Sequence, residues 1–178
     1  MKIAVIVGSL QENSYNKKLA KNLEAVAPEG VEFRYVDSNL PLFSEDLEKT
    51  YPTEAQAAKD IVNAADAVLF VTPEYNRSVP GVLKNAIDWM SRPYGTSAFK
   101  GKPAGIVGAT INIAGTAAAQ AHLRSILVFL EMRTMGQPEI YFPSVTPELF
   151  DENGIVSDER WQKNFAAYME AFVAFARQ

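Results

Sequence analysis

The feature that most constrains this chain is an alternation. Short apolar or alternating runs stand at residues 2–7, 31–36, 66–72, 103–110 and 139–142, and each is followed by a stretch with helical spacing. Parallel strands need a crossover between them, and a helix is the compact way to make it, so strand and helix signals in strict turn predict a parallel sheet. The runs at 2–7 and 66–72 read as strands buried on both faces. The helical stretches are 15–27 (Leu19, Ala20, Leu23, Val26), 53–64 with Thr53 as cap and Ala57, Ile61 and Ala64 on one face, 80–90 with Pro80 in the first turn, 115–130, and a C-terminal segment with Trp161, Phe165, Tyr168, Phe172 and Phe175 in step. Residues 37–52 read as an irregular connection. Right-handed crossovers place helices on both faces. The expected fold is α/β: a flavodoxin-like, doubly wound, five-stranded parallel sheet of order 2-1-3-4-5, with residues 1–178 forming one domain.

In such sheets ligands bind beyond the carboxyl ends of the strands, near the switch point between strands 1 and 3. Three loops lie there. The first, residues 8–16, enters a helix through Gly8, Ser9, Ser14 and Asn16, which suits a phosphate. It is neither G-x-G-x-x-G nor G-x-x-x-x-G-K-[ST], so a dinucleotide fingerprint and a Walker loop are absent. The second, residues 72–81, packs Pro73, Glu74, Tyr75, Asn76, Arg77, Ser78 and Pro80 into a connection longer than the usual one. Its backbone could address the edge of a planar heterocycle, and Tyr75 could stack beside it. The third, residues 110–116, is small and polar enough for close ligand approach.

Composition narrows the chemistry. The 178 residues include no Cys and one His, and 17 basic against 21 acidic residues leave a net charge of −4. Thiolate catalysis, Cys-based zinc or iron–sulfur centres and multi-His metal sites are excluded. Net acidity argues against a nucleic-acid partner. The start lacks the long apolar stretch of a signal peptide, and no window is apolar enough to span a membrane, so the expected location is the cytoplasm. His122 reads as a polar residue on a helix face or at a subunit contact. With so few side-chain catalysts, a bound cofactor is the expected source of chemistry. One phosphate in the first loop and a planar ring at the second describe flavin mononucleotide.

The motifs Gly8-Ser9-Leu10-x-x-x-Ser14-Tyr15-Asn16 and Pro73-Glu74-Tyr75-Asn76-x-Ser78-Val79-Pro80-Gly81, the latter continuing through Asn85 to Trp89, resemble those of the NADPH-dependent FMN reductases, which include quinone, azo-dye and chromate reductases. The resemblance runs from Met1 to about Arg133. It implies tightly bound FMN and a homodimer or homotetramer with the active site at a subunit interface. It also implies that Ser9, Gln11, Ser14, Tyr15 and Asn16 hold the phosphate, that Pro73, Glu74, Tyr75, Asn76 and Ser78 line the ring, and that Thr110, Asn112 and Gly115 border its other edge.

The family's usual residue at position 11 is Arg. Gln11 removes a charge-assisted bond, which Lys17 or Lys18 could replace. The third loop also departs from the family's Ser-Pro-Gly-Gly-like stretch. The activity implied is hydride transfer from NADPH or NADH through FMN to a small acceptor (a quinone, azo compound or free flavin) in a two-step ping-pong reaction. The alternative is an electron carrier or flavin-binding module without NAD(P)H turnover. The apolar run 126–130 predicts burial beyond one subunit's core.

Overall fold

A computed structural model describes residues 1–178. Its strands are β1 (Lys2–Val7), β2 (Glu32–Val36), β3 (Ala67–Val71), β4 (Pro103–Ala109), β5 (Arg133–Thr134) and β6 (Ile140–Phe142). Its helices are α1 (Tyr15–Ala25), α2 (Thr53–Asn63), α3 (Gly81–Met90), α4 (Ala117–Phe129) and α5 (Glu159–Ala176). All pairings are parallel, and the order is β2-β1-β3-β4-β5, with β6 also on β4. The fifth position of the sheet is therefore shared. β5 pairs with Pro103 and Ala104 at the start of β4, and β6 pairs with its end. The sequence pattern predicts only the second piece, because the two residues of β5 carry no periodicity.

Side chains alternate across the strands, so each face has its own core. Ile3 and Val5 point to the side of α1 and α5, where Leu19, Leu23, Phe165 and Phe172 cover them. Ala4 and Ile6 point to the side of α2, α3 and α4, with Val62, Leu83, Met90 and Leu127. Burying a side chain of this size contributes about 1.5–3 kcal/mol, so the layers hold the sheet and fix the ends of its strands.

Two local expectations are corrected. Thr53 is the first residue of α2, and Pro52 holds the cap position without a side-chain bond. The buried face of α2 is Ala55, Ala58, Lys59 and Val62, rotated from Ala57, Ile61 and Ala64. Lys59 hides the true face from a hydropathy pattern. It is 6% exposed, yet its ammonium donates to Thr96 Oγ1 at 2.9 Å and to the Arg92 carbonyl, and sits over the Tyr51 ring. The connection 37–52 contains a 3-10 turn at Glu45–Lys49 and is pinned to α3. Asn85 accepts from Phe43 N at 2.8 Å and donates to Pro41 O at 2.9 Å, and Trp89 Nε1 donates to Pro41 O at 2.8 Å. No helix is long and apolar enough to cross a membrane.

Candidate functional site

The first loop leaves β1 at Gly8, whose N–H reaches Val71 O at 2.9 Å. From Ser9 to Tyr15 no backbone N–H donates to an acceptor in the chain. Orphan donors at a helix N-terminus, backed by the helix dipole, are what a phosphate requires. Ser14 caps α1, accepting from Asn16 N at 3.2 Å. Ser9 and Ser14 are buried beneath the loop, while Gln11 is exposed on it. Tyr15 is turned aside, stacked on Phe150 with ring centres 5.8 Å apart.

Asn16 is spent within the fold. Its Nδ2 donates to Ala109 O at 2.9 Å, and its Oδ1 accepts from Ala109 N at 3.0 Å. The ladder explains why. Thr72 N donates to Val107 O at 3.0 Å, so the ladder would next bring Ala109 between the Thr72 carbonyl and the Glu74 N–H, but β3 has ended at Val71. The Asn16 amide replaces the missing peptide and binds the first loop to the end of β4.

The second loop closes as a tight hairpin. Tyr75 and Ser78 exchange backbone bonds of 3.0 and 2.9 Å across Asn76 and Arg77, whose φ values are 51° and 62°. Positive φ at both central residues is the type I′ geometry. The Glu74 side chain, 8% exposed, accepts from Ala119 N in the first turn of α4 at 3.1 Å and from Arg77 Nη1 at 2.9 Å. A carboxylate there both satisfies an orphan donor and meets the positive end of the helix, so Glu74 fastens the second loop to the helix that follows the third. Pro73 is buried, and Tyr75 remains 54% exposed. Ser78 Oγ lies 2.8 Å from His122 Nδ1 on the exposed face of α4.

The third loop is held by Asn112. Its Oδ1 accepts from Ala114 N at 2.8 Å, and its carbonyl accepts from Ser144 N at 3.2 Å. Thr110 Oγ1 accepts from Asn112 N at 3.3 Å. Gly115 has φ of 65°, and a Cβ there would lie 2.8 Å from Tyr141 Cβ, so the turn needs glycine. Burial, and then the Glu139 carboxylate, push the Tyr141 phenol up to about 12. Ile111 and Ile113 stand exposed at the same end of the sheet.

The three loops therefore meet at the carboxyl ends of β1, β3 and β4, as the sequence predicts. Within that cluster Ser9, Gln11 and Ser14 sit on the first loop with its free N–H groups, Pro73, Tyr75, Asn76 and Ser78 on the hairpin, and Asn16, Glu74, Asn112 and Gly115 on joints between loops. Two participants escaped the sequence reading: Phe150, which braces Tyr15, and the contact of His122 with Ser78. Neither partner pair is close in sequence, so only the fold reveals it.

Comparison with known proteins identifies the family and the fold. The family model described as NADPH-dependent FMN reductase matches residues 1–147. The chain is 45% identical to a 2-hydroxy-1,4-benzoquinone reductase of Burkholderia sp over 178 residues, covering 99% of this chain and 97% of that protein. The structure of FerB, a flavoenzyme NAD(P)H:(acceptor) oxidoreductase from Paracoccus denitrificans, superposes with a TM-score of 0.93 at 40% identity, covering 99% of this chain and 97% of that one. A Pseudomonas aeruginosa flavodoxin variant shares the fold, with a TM-score of 0.57 at 22% identity over 96% of this chain and 99% of its own. The chain belongs to the NADPH-dependent FMN reductase family.

Proposed function

We propose that this chain reduces a quinone at the expense of NAD(P)H, with FMN seated across the three loops and residues 1–178 acting as one FMN-binding domain. The observation that carries the site assignment is the unbroken row of free N–H groups from Ser9 to Tyr15. FMN, when bound, supplies the two-electron chemistry, taking a hydride from the nicotinamide and passing it to the acceptor. The chain's share is placement. Ser9, Ser14 and the first-loop N–H groups hold the phosphate, with Gln11 at its rim. Pro73, Tyr75, Asn76 and Ser78 line one side of the ring, and Thr110, Asn112 and Gly115 the other. Asn16 and Glu74 act through the backbone, keeping the loops in register.

A second copy of the chain completes the surface. Ala121, Ser125, Val128 and Phe129 form the exposed stripe of α4 around His122, with Val128 and Phe129 70% and 81% exposed. Apolar exposure of this kind marks an interaction face, and Phe129→Glu turns the expected dimer or tetramer into a monomer by light scattering. The cytoplasm, which supplies the donor, is the proposed location.

The test of the activity is steady-state oxidation of NADPH with 1,4-benzoquinone as acceptor. Parallel double-reciprocal lines are expected, because donor and acceptor use one site in turn. Bound flavin without NADPH oxidation would instead favour an electron carrier.

A further inference from the structure

Nine large apolar side chains stand exposed on this chain, and four of them sit on the three loops at the ligand end of the sheet: Leu10 on the first, Tyr75 on the hairpin, Ile111 and Ile113 on the third. The two isoleucines are the most open of the four, at 75% and 86%. Neither packs into the core on either face of the sheet. They lie where the third loop departs from the family's usual stretch, so they are a feature of this chain.

The loop holds them out. Asn112 stands between them, and its Oδ1 accepts from Ala114 N, its carbonyl accepts from Gly115 N and Ser144 N, and its own N–H donates to Thr110 Oγ1. The backbone between the isoleucines is thus pinned, and branching at Cβ leaves their side chains few rotamers. A stiff apolar pair loses little freedom when something covers it. β3 and β4 are paired neighbours, about 4.8 Å apart, so the hairpin that leaves one and the loop that leaves the other emerge side by side. Glu74 ties the hairpin to α4 through Ala119 N, which keeps Tyr75 and the isoleucines at one opening.

Charge at this rim points the same way. Residues 72–81 and 110–116 carry one cation, Arg77, and Glu74 holds its guanidinium at 2.9 Å. An anionic acceptor finds no unpaired positive group on these two loops, whereas an apolar one finds uncovered surface.

We infer that Ile111 and Ile113, with Tyr75 beside them, select the electron acceptor: an uncharged quinone that carries a fused ring or an apolar substituent, with that apolar part resting on the two isoleucines. The inference rests on the proposed quinone reduction and narrows it, since the quinone ring must reach the flavin whatever its substituents, and the isoleucines touch only the remainder.

The test compares 1,4-naphthoquinone, 1,4-benzoquinone and 1,4-naphthoquinone-2-sulfonate on the FMN-loaded protein, unaltered and as Ile111→Ser/Ile113→Ser and Ile113→Lys. Both positions are exposed, so neither substitution opens a cavity. The ratio of kcat/KM for naphthoquinone over benzoquinone should fall about tenfold in the double serine variant, with KM carrying most of the change. By calorimetry, naphthoquinone should bind the unaltered protein about tenfold tighter than its sulfonate, and Ile113→Lys should abolish or reverse that preference.

A fall shared equally by both uncharged quinones would overturn the inference, as would equal binding of naphthoquinone and its sulfonate to the unaltered protein. So would a double variant that loses FMN, since the isoleucines would then belong to the cofactor, or one whose mass by light scattering drops, since a second copy of the chain would then be what covers them. A chain that takes up FMN but oxidises no NADPH would refute the proposed function instead, and the calorimetric comparison of the two naphthoquinones would still decide this inference. A chain that takes up no FMN would overturn both.

Discussion

Replacing Asn16 by Leu separates two roles that the sequence motif runs together. The family resemblance implies that Asn16 holds the FMN phosphate, whereas its amide is engaged at both ends with Ala109 at 2.9 and 3.0 Å. Asn16 is 3% exposed and Ala109 1%, so no water is placed to take over. Leu matches the volume and leaves the Ala109 N–H and C=O unpaired. A buried polar group stripped of its partner costs about 1–3 kcal/mol, so two cost roughly 2–6 kcal/mol, and partial relaxation of the loop favours the lower half of that range. In a chain of this size about 3 kcal/mol corresponds to a fall in Tm of roughly 6–12 °C. Urea unfolding of the FMN-free chain, followed by circular dichroism, reads the stability term directly. FMN titration of the same variant reads the ligand term. A loss of stability near 3 kcal/mol, with FMN weakened only as far as the loop has loosened, is expected. Stability unchanged to within about 0.5 kcal/mol, with FMN affinity still reduced, would place Asn16 on the phosphate and refute the reading.

Gln11→Arg should tighten FMN by roughly 1 kcal/mol, because it adds a charged donor at the exposed rim of the phosphate nest; an unchanged Kd would show that position 11 does not face the phosphate. Gly108→Ala should destabilise the chain by about 3 kcal/mol or more, or prevent folding. A Cβ there would lie 2.2 Å from both Thr116 Oγ1 and the Thr72 carbonyl, and a normally folded variant would show that the end of β4 is looser than described. Burial, then the charges of Glu48 and Asp60, push the Tyr51 phenol up to about 12 from 10.0. The folded state then holds a proton that the unfolded state releases, so stability is retained below pH 10 and falls between about pH 10 and 12. Tyr51→Phe should flatten that fall in a pH series of urea midpoints, and an unchanged slope would clear Tyr51 of the effect.

The sheet was legible in the sequence because its strands are buried on both faces and its helices carry amphipathic stripes. Both signals are local and strong. The ligand end of the sheet was legible for the same reason, since strand order alone places it. What escaped was set by tertiary partners. Lys59 counts as polar in any periodicity, yet it is buried by acceptors 33 and 37 residues away. The two-residue β5 pairs only because β4 offers a free edge beside it. Asn85 and Trp89, read as part of a ligand-associated motif, hold the connection at Pro41 and Phe43. Some motif residues in this chain thus position the loops rather than remaining free for a ligand, and spacing alone cannot tell which.

The central claim is that the three loops hold FMN where NAD(P)H can reduce it. The most direct test is the visible absorption spectrum of the FMN-loaded protein before and after anaerobic addition of NADPH. A protein-bound flavin spectrum that bleaches, and returns when a benzoquinone is added, is the predicted result. A flavin spectrum that persists after NADPH, or a chain that fails to take up FMN when it is supplied, would contradict the account.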